Sequence, residues 1–180
     1  VGVMRHITDP GARSPLYGRA LVKMELERWS PSVSLGFLRK GCDEKGLPYT
    51  EGRMAEAVGR LDGIPGWLTI YGYNYSLDPK NPEISLERSV DEALKIVAEE
   101  MGSISRIAVG WPRQMKVLGE LSESPRRFME IAEAAGLSNQ ALTRHLDMLR
   151  RLHYVEKDRE ERYSISDPIL AEFIRRRAGH

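Results

Sequence analysis

The spacing of apolar and polar positions changes along the chain, and each change predicts an element. ALVKMEL at 20–26 alternates, with Leu21 or Val22, Met24 and Leu26 apolar and Lys23 and Glu25 polar. That period predicts a strand with one buried face. No partner strand can be read before residue 154, so this strand is expected to belong to a sheet whose other members lie upstream. Residues 1–17 read as loop, because Pro10, Gly11, Ser14 and Pro15 interrupt regular structure and Arg5, Asp9 and Arg13 keep it solvated.

After residue 29 the period becomes helical. Ser30 is placed to cap a helix with Pro31 in its first turn; Val33, Phe37 and Leu38 are its expected apolar face, and Gly41 its end. Thr50 is expected to cap the next helix, on which Met54, Ala57, Val58 and Leu61 share a face before Gly63. LDGIPGWLTIYGYN (61–74) then opens a third helix at Pro65, with Trp67, Leu68, Tyr71 and Tyr75 at helical spacing. DPKNPEI (78–84) reads as a turn. Ser85 is the expected cap of a long helix to about Met101, whose seam is Leu86, Val90, Leu94, Val97 and Met101. Gly102, Gly110 and Pro112 punctuate a joint, where the domain boundary is expected.

Residues 112–180 have a different organisation. One helix is predicted over 112–121 with Met115, Val117, Leu118 and Leu121 apolar, and a second from near Pro125 with Phe128, Ile131 and Ala132. Gly136 turns the chain, Leu137 fills the corner, and Ser138 caps a third helix. On that helix Leu142, Leu146, Leu149 and Leu152 face inward, and Asn139, Gln140, Thr143, Arg144, Asp147, Arg150 and Arg151 face out. This is the helix-turn-helix pattern. Tyr154 and Val155 begin a hairpin with a charged tip, and Tyr163 and Ile165 complete it. The order resembles the winged-helix family over about 65 residues. The resemblance implies DNA binding through 138–151, with Ser138 among the contacts, Asn139, Gln140, Thr143 and Arg144 toward base edges and Arg150, Lys157 and Arg159 toward phosphates.

Composition limits the picture. The chain has 180 residues, 29% charged and 41% hydrophobic, which suits one or two globular domains. Net charge is +1, so no global field points to nucleic acid. Residues 112–180 carry 13 Lys/Arg against 11 Asp/Glu, and the wing KDREER balances three of each; a protein-contact role for the winged helix therefore stays open. The single cysteine, Cys42, excludes an internal disulfide and suits a reducing cytoplasm. No apolar run reaches the roughly 20 residues of a membrane span, and no secretory signal is seen. The first residue is Val, as for an unusual start codon, a processed chain or a fragment.

The four His, at 6, 145, 153 and 180, sit at no metal-ligand spacing, no Gly-x-Ser-x-Gly is present, and the chain holds no Gly-x-x-x-x-Gly-Lys-Ser/Thr. Yet SPLYGRA…VKMELERWSPSVSLGFLRKG…EGRMAEAVGRLDGIPGWLTIYG, between residues 14 and 72, resembles the later part of the archaeal-type P-loop ATPases of the AAA+/STAND group. In that group the nucleotide core ends in a strand, a helical lid follows, and then a winged helix. The resemblance implies a weak nucleotide contact at Gly63, Pro65 and Trp67, with Arg19 as a charge partner. It also implies that the phosphate loop and the acidic Mg²⁺-binding strand lie upstream, so ATP and Mg²⁺ belong to an intact relative and this chain is a truncated product or fragment.

The expected fold is therefore mainly α: 1–28 loop and last strand of a missing ATPase core, 29–108 a helical lid, 109–180 a winged helix. The expected function is ATP-binding-protein lid plus DNA-binding module, without ATPase activity by itself. The unpaired edge of 20–26 is expected to leave the first 27 residues poorly ordered, or to recruit the missing core or the same strand of a second copy. Two other readings fit: a stand-alone regulator that dimerises through 1–111 with the 86–101 seam as contact, and a protein–protein adaptor.

Overall fold

A computed structural model describes residues 27–178. The loop over 1–17, the strand over 20–26 with its possible partners, and Arg19 lie outside the described residues. Within them the fold is mainly α-helical, with eight helices and one three-stranded sheet. By internal packing the chain divides into two units, one of residues 27–101 with 167–173, the other of 102–166 with 174–178.

In the first unit, α1 (Pro31–Lys45) begins where Ser30 Oγ accepts from the Val33 N–H. It passes through Gly41 and ends at Gly46, whose φ of 61° lets its N–H and that of Leu47 close on the Asp43 and Cys42 carbonyls at 3.1 and 2.9 Å. The expected apolar face is corrected. Leu38 is buried, but its companions are Ser34 and Cys42, while Val33 and Phe37 stay 52% and 38% exposed. Two local contacts permit this. Ser34 Oγ donates to the Ser30 carbonyl at 3.0 Å, so its burial leaves no unmet donor, and the Phe37 ring packs on Trp29 at 5.1 Å.

α2 (Glu51–Leu61) buries Met54, Ala57, Val58 and Leu61, the face that the spacing predicted. Thr50 takes extended N-cap geometry without a side-chain cap bond. α3 (Pro65–Leu77) buries Leu68, Tyr71 and Tyr75 and adds Asn74, which donates to Ser89 Oγ at 3.1 Å. α4 runs over Pro82–Ile107, longer than expected at both ends. Ser85 is not its cap: it is buried inside the helix and donates to the Asp78 carbonyl at 3.2 Å. Gly102 is accommodated mid-helix, and the chain turns at Gly110 instead, with φ 80°. Leu86, Val90 and Leu94 are already buried in their own chain, so this part of the seam is not the open face that the dimer reading needs.

The second unit contains α5 (Trp111–Glu123), β1 (Arg126–Arg127), α6 (Phe128–Ala135), α7 (Asn139–Arg151), β2 (Val155–Lys157) and β3 (Arg162–Ile165). The last helix, α8, spans Pro168–Ala178. The hairpin gains a third strand: the antiparallel order is β1-β3-β2, with Arg126 opposite Tyr163 and Val155 opposite Ile165. Two polar residues are too short a run to show a strand period, which is why β1 was not foreseen. Val117, Leu118, Ile131, Leu142 and Leu149 are fully buried and form the core beneath this sheet and its helices.

Candidate nucleic-acid interface

The helix-turn-helix is set by one glycine and one serine. Gly136, at φ 63°, reverses the chain after α6 while its N–H closes on Ala132 and Glu133 carbonyls. Ser138 Oγ then accepts from the Ala141 N–H at 3.3 Å and starts α7. Burying Leu142, Leu146 and Leu149 turns the opposite side of α7 to solvent, and Asn139, Gln140, Thr143, Arg144, Asp147, Arg150 and Arg151 are all exposed there. Leu152 follows the helix and is only half-buried. Thr143 Oγ1 donates to the Asn139 carbonyl at 2.9 Å, which leaves its lone pairs as acceptors. Among the described residues, Arg144, Arg150 and Arg151 have no ion-pair partner.

The wing is different. Lys157 pairs with Glu161 and stands 5.4 Å from the Tyr163 ring centroid. Its ammonium is pushed above the ordinary lysine range, first by the Glu161 hydrogen bond. Arg162 pairs with Asp158 and Glu160. Asp158 also accepts the Glu160 and Arg162 backbone N–H groups, both at 2.8 Å, and the Arg162 N–H is the largest reason its carboxyl sits below the usual range. Arg159 alone of the wing's three cations has no ion pair among the described residues. Arg127, exposed on β1, is a further cation that the sequence reading left out; its signal was the Arg126-Arg127 pair before a helix. His145 lies on the flank of α7 against Gly110. Burial, then Arg113 and Arg144, push its imidazole below the ordinary histidine range.

The Gly-x-Pro motif lies in the first unit. Gly63 is buried, with φ 67°, and its carbonyl accepts the Trp29 N–H at 2.9 Å. Pro65 opens α3 behind Ile64, with no side-chain cap over the helix start. Trp67 is taken up by the chain itself: its indole N–H donates to Asp167 Oδ2 at 3.0 Å. Burial raises the Asp167 carboxyl above its ordinary range even though it accepts this bond and the Ile169 N–H. Beside Gly63 is an open cleft of about 540 Å³, lined among others by Arg28, Trp29, Pro31 and Val58; Arg28 pairs with Asp62 at 3.0 Å. Gly63, Pro65 and Trp67 are thus neighbours in space, but two of the three serve packing. Among the described residues no cluster of His, Cys, Asp or Glu could hold a metal, and no helix is long and apolar enough to cross a membrane.

Two helices, a third exposing a polar face, and a small antiparallel sheet define a winged helix-turn-helix. Residues 112–157 match the bacterial regulatory protein family described as arsR. Over 97% of its length the chain is also similar to a solved structure, a Walker-type ATPase of Pyrococcus abyssi, with a TM-score of 0.76 and 27% identity. The chain spans about half of that ATPase, 50% of its length. No curated protein matches the sequence. The likeness to an ATPase and the winged helix at the chain's C-terminal side both agree with the resemblance seen in the sequence.

Proposed function

We propose that this chain is the helical lid and winged-helix portion of a Walker-type ATP-binding protein, and that it binds duplex DNA through α7. The observation that carries the DNA reading is the exposed face of α7, where Asn139, Gln140, Thr143 and Arg144 stand together and Arg144, Arg150 and Arg151 are free of ion pairs among the described residues. Free guanidinium groups exchange water for phosphate without first breaking an internal pair. Asn and Gln offer paired donors and acceptors to adenine, and Arg to guanine. Arg150 is assigned to phosphate, together with Arg159 on the wing; Lys157, the third phosphate candidate, must first leave Glu161.

Nucleotide contact at the Gly-x-Pro motif rests on fewer groups than the motif holds. Gly63 and Trp67 are occupied within the chain, so contact falls to Pro65 and the uncapped start of α3 beside the cleft. The chain lacks a phosphate-loop sequence, and hydrolysis requires phosphates cradled and a metal held; catalysis is assigned to other parts of an intact relative. A free, buried Cys42 suits a reducing cytoplasm.

A DNA titration at two salt concentrations tests the α7 reading. Arg150→Ala is expected to weaken binding to all sequences alike and to flatten the log–log salt slope by about 0.9. Arg144→Ala and Gln140→Ala are expected to narrow the gap between a preferred and a random site by roughly 1–3 kcal/mol. Leu146→Ala, a core truncation costing about 2–5 kcal/mol of stability, should lose binding only as the domain unfolds. No binding by the folded wild type at low salt would remove DNA and leave a protein-contact module.

A further inference from the structure

The first unit holds a cavity, open to solvent on one side, that neither the DNA reading nor the nucleotide motif uses. It measures about 260 Å³ and lies among residues of α1, α2 and α3, with Phe37, Leu38, Leu47 and Met54 as its main apolar lining. A cavity of about 150 Å³ with aliphatic and aromatic walls holds one benzene, so this one has room for two fused rings. Gly41 is part of the lining, and a Cβ placed there would meet nothing within 4 Å.

The polar groups of the lining are not equivalent. Tyr75 donates to the Pro48 carbonyl, and Thr69 to the Pro65 carbonyl at 2.8 Å. Tyr71 is only 1% exposed, yet its hydroxyl has no hydrogen-bond partner among the described residues. Tyr71 lines the cavity, so its hydroxyl stands where a bound acceptor could reach it. Lys45, exposed and also in the lining, has no ion-pair partner among the described residues. Cys42, the chain's one cysteine, completes the wall as a buried free thiol.

We propose that this cavity is a binding site for a flat aromatic carboxylate of two-ring size. The rings lie among Phe37, Leu38 and Met54, a carboxylate oxygen accepts from the Tyr71 hydroxyl, and Lys45 supplies the opposite charge. The site depends on neither DNA nor nucleotide binding.

The test is a calorimetric titration of the chain with 2-naphthoate at neutral pH, run beside alkylation of Cys42 by N-ethylmaleimide. Saturable one-to-one binding is expected, with Cys42 alkylation slowed at saturation. Tyr71→Phe should weaken binding about five- to tenfold, the loss of one hydrogen bond. Lys45→Gln should reduce the preference for 2-naphthoate over neutral 2-naphthamide. Gly41→Leu adds a side chain at the cavity wall, at a helical position where a Cβ meets nothing within 4 Å, so it should stay folded by circular dichroism and lose both binding and protection. No heat and no protection with folded wild type at millimolar 2-naphthoate would overturn the site. So would binding that Gly41→Leu and Tyr71→Phe leave unchanged.

Discussion

Gly63 is the residue on which the first unit's backbone turns. A Cβ at this position would lie 2.2 Å from the Trp29 carbonyl oxygen, a backbone atom of the residue whose N–H donates to the Gly63 carbonyl. The positive φ adds strain for any other residue. Gly63→Ala is therefore expected to cost about 3 kcal/mol or more, read as a lowered midpoint in urea unfolding. Gly41→Ala sits in a regular helix with open space beside it and should instead stabilise by about 0.5–1 kcal/mol. A Gly63→Ala variant as stable as wild type would mean that residues 28–29 move aside easily. This crossing, rather than a ligand, is a sufficient reason for glycine at 63, so the motif's glycine carries less functional weight than its proline.

Among the elements, the wing and α7 divide the charge unequally. On α7 three arginines are free of ion pairs among the described residues, whereas on the wing Glu161 holds Lys157 and Asp158 with Glu160 hold Arg162. Exposed pairs of this kind contribute little to stability, so their larger consequence is for binding: each withholds a cation from phosphate. Glu160→Gln with Glu161→Gln is expected to leave the fold intact and to raise DNA affinity several-fold at low salt. The salt slope should steepen by about 0.9 for each phosphate newly contacted. Affinity and slope equal to wild type would place the wing tip away from DNA.

For the whole molecule, the likeness to a Walker-type ATPase and the content of this chain point to different expectations. The similarity covers half of the ATPase, and the phosphate-loop sequence is not in this chain. The purified chain is expected to show no ATP turnover above buffer background with Mg²⁺ present. Turnover that follows the protein through successive purification steps would contradict this and require a phosphate cradle of another kind.

Periodicity alone determined most of the elements: α2's face of Met54, Ala57, Val58 and Leu61 and α7's face of Leu142, Leu146 and Leu149 are local patterns that any burial would satisfy in the same way. The helix-turn-helix was legible for the same reason, since Gly136 and Ser138 act through bonds to near neighbours in the chain. Other features depended on partners distant in sequence. Ser34 rather than Val33 is buried because α1 is turned toward neighbours that its own sequence does not specify. Arg126 and Arg127 become a strand only by pairing with β3. Trp67, read as a nucleotide contact, bonds to Asp167, a residue 100 positions away. The cations of the wing could be counted in the sequence, but their neutralisation is a matter of side-chain geometry at a hairpin tip. A hydrogen bond or ion pair between remote residues leaves no period in the chain, and so tertiary structure alone decided which of the candidate groups remain free to bind.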